Sequence, residues 1–113
     1  MKSEVTSNRL LQLLTFLEAT PNEPFLLFAV AKEYEGLKDD INTKLYYERL
    51  VAEHESYVGT YYHLGKFYER QNLIFQAIEI YKKGMDVAKN AGEKHAYGEL
   101  STAKMMIDDD DDF

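Results

Sequence analysis

Residues 58–84 read VGTYYHLGKFYERQNLIFQAIEIYKKG, and the order of large and small side chains in this stretch decides the fold. Tyr61, Leu64, Gly65 and Tyr68 recur at steps of three and four, which places them on one face of a helix. Ala77, Ile78 and Tyr81 do the same on a second helix, and Gln71-Asn72 between the two is a turn. The residues 34 positions earlier are Leu27, Val30, Ala31 and Tyr34, then Thr43 and Tyr47, so large and small side chains return in register. A helix–turn–helix unit repeated at this period buries its apolar faces by stacking on its neighbours. Gly65 and Gly84 fit such contacts, because a glycine inside a helix costs about 1 kcal/mol relative to alanine unless two axes must touch there. At Gly65 a leucine is expected to overpack the contact, whereas an alanine is expected to be tolerated.

The aromatic, the leucine–glycine pair and the tyrosine of the first helix, followed by the alanine and aromatic of the second, resemble the tetratricopeptide repeat. Residues 58–91 are the fuller copy, with Lys89 in place of a late proline. Residues 24–57 are a weaker copy, with Leu27 for the leading aromatic and Thr43 and Leu50 where small residues are usual. One period before, Leu13, Phe16, Leu17 and Pro21 make residues 8–23 resemble the second half of a truncated repeat. One period after Tyr61 stands His95, so residues 92–107 resemble the first half of another repeat, acting as a cap. The resemblance implies an all-α fold, a short right-handed solenoid of antiparallel helix pairs with about six helices, in one domain over 1–107. It also implies a non-catalytic module that binds a segment of another protein in a concave groove.

Periodicity supports the helices without the family. Leu10, Leu13, Leu14 and Leu17, then Phe28, Ala31 and Tyr34, and later Ala96, Leu100, Ala103 and Ile107 all keep helical spacing, and no segment alternates for long with a period of two. Asn22 and Asp40 are expected to cap the helices that follow them. With 113 residues, 45% of them hydrophobic, the chain has the material for one domain. It has no cysteine, which removes a disulfide framework and a thiolate nucleophile and fits a reducing compartment, so a cytoplasmic location is expected. Gln12 and Thr15 interrupt the apolar run 10–17, which is far shorter than the roughly 20 residues of a membrane span, so no membrane association is expected. Glu4 stands where a signal peptide would be basic, so no such leader is expected either.

Charge and chemistry exclude other classes. The net charge is −7, but five of the 20 acidic residues lie in 108–112, so 13 basic residues face 15 acidic ones over the rest. Residues 108–113 are therefore expected to form a solvated, disordered acidic tail. A net negative chain lacks the concentrated positive charge that nucleic acid requires, so no nucleic-acid partner is expected. His54, His63 and His95 lie far apart in sequence, none in a spacing that puts two imidazoles on one helix face, and no glycine-rich phosphate loop occurs. No catalytic residue, metal ligand or cofactor is expected.

The candidate site lies on what packing leaves over. Tyr61, Leu64, Gly65 and Tyr68 face a partner helix, which leaves Tyr62, His63, Lys66 and Arg70 on the neighbouring stripe. The repeat register carries this stripe to Phe25, Phe28 and Lys32 in the earlier copy. In the cap it reaches Ala96, Tyr97, Leu100 and Lys104. In tetratricopeptide stacks such a stripe lines the concave groove, so these residues are the peptide-binding positions that the resemblance implies. Aromatics beside cations, opposed mainly by Glu35 and Glu69, suit an acidic partner segment with an apolar anchor. Phe28 and Tyr97 can equally pack on a neighbouring helix. The asparagines with which related domains clamp chaperone tails are missing, and Glu93 stands where a lysine would be needed. The alternative reading is a self-associating structural unit, a homo-oligomer joined through its incomplete end repeats.

Overall fold

The computed structural model describes residues 7–108, which form six helices: α1 (Asn8–Ala19), α2 (Pro24–Gly36), α3 (Asp40–Glu53), α4 (Gly59–Arg70), α5 (Ile74–Asn90) and α6 (Lys94–Ile107). There is no strand among the described residues. The chain divides into two compact units, the first ending at His54 and holding α1 to α3, the second beginning at Glu55 and holding α4 to α6.

Each helix of the first unit starts on a side-chain cap. The Ser7 hydroxyl accepts from the Leu10 amide at 3.0 Å and donates to Glu33 at 3.0 Å. Glu23 accepts from the Leu26 amide at 3.1 Å, and Asp39 from the Asn42 amide at 3.1 Å. The caps are thus Glu23 and Asp39 rather than Asn22 and Asp40. Pro24 has its φ preset for the first helical position, which makes Glu23 the last residue outside the helix. Asp39, at φ −92° and ψ 86°, is likewise outside, and Asp40 falls in the first turn, where its charge suits the positive end of the helix.

The other ends repeat as faithfully as the sequence does. Lys38 and Asn72, one period apart, both take the left-handed conformation, as does Gly92. After each, an amide reaches back across the helix end: Asp39 to the Tyr34 carbonyl at 3.0 Å, Leu73 to Tyr68 at 2.9 Å and Glu93 to Ala88 at 2.9 Å. Only Gly92 avoids the cost of about 1–2 kcal/mol that a side chain meets in that conformation.

In the first unit Leu10 and Leu17 of α1, Leu27, Val30 and Ala31 of α2, and Thr43, Tyr47 and Leu50 of α3 are buried. In the second unit Tyr61, Leu64, Phe67 and Tyr68 of α4 and Ala77, Tyr81 and Ala88 of α5 are buried, and α6 adds Leu100 and Ala103. The two glycines sit under aromatic rings. A Cβ at Gly65 would run into the Tyr81 ring, and one at Gly84 would meet Tyr61 and come within 3.0 Å of Leu100. An alanine at Gly65 is therefore not tolerated without movement, contrary to the expectation from propensity alone.

The sixth helix departs from the repeat. His95, Gly98, Glu99 and Thr102 stand one period after Tyr61, Leu64, Gly65 and Tyr68, yet all four are exposed. α6 instead buries Leu100 and Ala103, its own apolar stripe, because the other stripe has almost no apolar area to remove from water. Leu100 is 1% exposed, so it belongs to the core and not to a groove. At its end Lys104 holds Asp108 at 2.8 Å with both side chains largely shielded, so the first residue of the expected acidic tail is tied to the helix. Residues 109–113 of that tail lie outside the described residues.

Candidate functional site

The residues that packing leaves over form the same small arrangement in each unit. In the first, Phe28 is half-buried, its ring centroid 6.2 Å from that of Tyr47. Lys32 holds its ammonium 3.6 Å from Glu35, and Glu35 accepts a hydrogen bond from the buried Tyr47 hydroxyl at 2.8 Å. Phe25, one turn earlier on α2, is 62% exposed.

In the second unit Tyr62, Lys66, Glu69 and Tyr81 occupy the positions one period on. Lys66 Nζ lies 5.6 Å from the Tyr62 ring centroid and 3.6 Å from Glu69, which accepts from the Tyr81 hydroxyl at 2.5 Å. His63 meets Tyr62 edge to face at 5.6 Å, and Arg70 is exposed at the last position of α4. Burial, and after it the hydrogen bond to Glu69, pushes the Tyr81 phenol well above its ordinary value, while Arg70 pulls it slightly back. Glu35 and Glu69 are therefore more than charges opposing a basic groove. Each is the acceptor that lets a tyrosine hydroxyl be buried, and each gives a surface lysine a fixed partner.

Tyr62 and Lys66 also border a cleft of about 580 Å³ whose other wall is α6. Lining that wall are Lys94, His95, Gly98, Glu99, Thr102 and Met106, with the buried Ala103 at its base. Tyr97 and Lys104 are not part of it. Tyr97 lines a second hollow of about 370 Å³ with Lys89, Gly92 and Glu93, and Lys104 is engaged with Asp108. Of the positions read from the sequence, the structure brings Tyr62, His63 and Lys66 together, places Phe25, Phe28 and Lys32 in the other unit, and leaves Tyr97 and Lys104 on another flank of α6. The cleft-facing residues of α6 escaped the sequence reading, although the apolar stripe 96, 100, 103 and 107 already indicated which flank would be free.

The described residues contain no group of three or more His, Cys, Asp or Glu that could hold a metal ion. No described helix is long and apolar enough to cross a membrane.

No family model matches the chain, and no curated protein matches it either. Solved structures do. The solution NMR structure of a tetratricopeptide repeat domain protein from Salinibacter ruber is similar with a TM-score of 0.75 and 38% identity, covering 78% of this chain and 89% of that one. A crystal structure of a tetratricopeptide repeat domain protein from the same organism is similar with a TM-score of 0.73 and 37% identity, covering 76% of this chain and 96% of that one.

Proposed function

The chain belongs to the tetratricopeptide repeat family, and from that premise we propose that it is a non-catalytic protein-interaction module. Its ligand is a segment of another protein, acidic and carrying an apolar anchor, held along the first helices of its repeats. The observation that carries this reading is the duplicated surface pair Phe28/Lys32 and Tyr62/Lys66. In the second pair the Lys66 ammonium lies 5.6 Å from the centroid of the half-buried Tyr62 ring, and in the first Lys32 follows the half-buried Phe28 by four residues on the same helix. A ring of this kind supplies contact area at little entropic cost, and the cation orients an incoming carboxylate. The pairing of Lys32 with Glu35 and of Lys66 with Glu69 makes the attraction modest, which favours a ligand with several carboxylates.

The test is a double reversal, Lys66→Glu with Arg70→Glu. Both side chains lie at the surface, so the melting temperature should stay close to that of the parent, while titration with acidic peptides should show the affinity lost. Unchanged affinity would remove this face from the interaction. Self-association has one observation in its favour, since α1 exposes Leu11 at 54% and Phe16 at 58%. Light scattering across a concentration series decides it: a constant monomer mass excludes the homo-oligomer.

A further inference from the structure

Gly98 is a glycine in the interior of a helix that no neighbouring atom of the fold requires. Gly65 and Gly84 are required by the rings of Tyr81 and Tyr61. Gly98, in the interior of α6, is exposed, and a Cβ placed there would meet no atom within 4 Å. An alanine would strengthen the helix by about 1 kcal/mol. Gly98 lies in the wall of the cleft that faces Tyr62 and Lys66, with Thr102 one turn further along. Bare backbone at such a place permits the close approach of another backbone.

We propose that this cleft seats an acidic peptide segment of a partner protein, its backbone crossing α6 at Gly98, its apolar side chain between Tyr62 and Met106, and its carboxylates toward Lys66 and Lys94. The inference rests on the reading of the chain as a peptide-binding module and adds to it a wall that the repeat pattern does not supply. Two ammonium groups line the cleft against one carboxylate, and that carboxylate, Glu99, faces His95 at 3.3 Å. Lys94 is exposed, and Met106, which presents 78% of its surface, lines the same cleft as the half-buried Tyr62. Apolar and basic groups thus flank the bare backbone of Gly98, the combination that an extended segment with one anchor and flanking acids requires.

The experiment is selection of random decapeptides displayed on phage against the parent protein, Gly98→Ala, Gly98→Leu, Lys94→Glu and, in the other unit, Lys32→Glu. Thermal melts accompany each variant. Because the space around Gly98 is open, neither substitution there should lower the melting temperature. The parent should select sequences with Asp or Glu flanking a large apolar residue. Gly98→Leu should bind those peptides about tenfold more weakly or worse, and Lys94→Glu should weaken them as well. Amide shifts of Gly98, Thr102 and Lys66 should move on adding a selected peptide. Peptides that survive Gly98→Leu and are lost with Lys32→Glu would overturn this site and keep the groove reading. No enrichment on any variant would overturn both. Self-association of the parent that Gly98→Leu abolishes would make a second copy the occupant and overturn the partner named here.

Discussion

Two glycine-to-alanine substitutions in this protein should move stability in opposite directions. At Gly65 a methyl group would enter the space of the Tyr81 ring. That ring cannot slide freely, because its hydroxyl donates to Glu69 at 2.5 Å. Overpacking a core contact costs about 1–3 kcal/mol, and loosening a hydrogen bond to a charged acceptor costs up to about 1.5–3 kcal/mol more. The gain in helix propensity is about 1 kcal/mol. Gly65→Ala should therefore lose about 1.5–5 kcal/mol net. At about 4 °C per kcal/mol for a domain of this size, the melting midpoint should fall by roughly 6–20 °C. Gly98→Ala meets open space and should keep the propensity gain, raising the midpoint by about 4 °C. Thermal melts followed by circular dichroism at 222 nm, with urea titrations to show that the m-value is unchanged, make the comparison. The reasoning fails if Gly65→Ala melts at or above the parent. It fails equally if the two variants shift together.

Tyr81→Phe leaves Glu69 without its buried donor and should cost about 1–2 kcal/mol in urea unfolding, with Tyr47→Phe costing a similar amount through Glu35. Alkaline pH should destabilise the fold: the Tyr61 phenol is pushed up to about 12 by burial and, secondarily, by Glu55, and that of Tyr81 is raised further. A phenol whose folded value lies above its unfolded value of about 10 contributes stability that is fully present below pH 10 and lost as the pH rises through the folded value. Urea midpoints measured between pH 8 and 12 should stay level to about 10 and then decline, and a flat profile would contradict the burial of these hydroxyls. Lys38→Gly relieves a left-handed residue at the end of α2 and should raise stability by about 0.5–1 kcal/mol after the entropy of the added glycine is subtracted, whereas Gly36→Ala should show no such gain from relief of strain.

Much of the fold can be read from residue order alone. The 34-residue recurrence of Leu27, Ala31, Tyr34 and Tyr47 in Tyr61, Gly65, Tyr68 and Tyr81 reports which side chains lie on one helix face and where the chain must turn. Those are local properties, set by helical periodicity and by a few residues at each end, and the buried Tyr61, Leu64, Gly65 and Tyr68 of α4 were legible in that way, whereas the buried Thr60 and Phe67 were not. The expectation for alanine at Gly65 failed because propensity is local, while the Tyr81 ring comes from another helix.

What the tertiary structure decided was how α6 is turned about its own axis. The repeat register places Leu100 on the open stripe, while the helix's own periodicity groups it with Ala96, Ala103 and Ile107. The second grouping prevails, since rotation is governed by which stripe removes more apolar surface from water, and His95, Gly98, Glu99 and Thr102 offer almost none. From that turn follow the position of Tyr97 and Lys104 away from Tyr62, and the placing of Gly98 in the wall of a cleft. The pairing of Glu35 and Glu69 with buried tyrosine hydroxyls is of the same kind. A carboxylate's sequence neighbours state its charge, but the buried hydroxyl that needs it as an acceptor arrives from the next helix, 12 residues away along the chain.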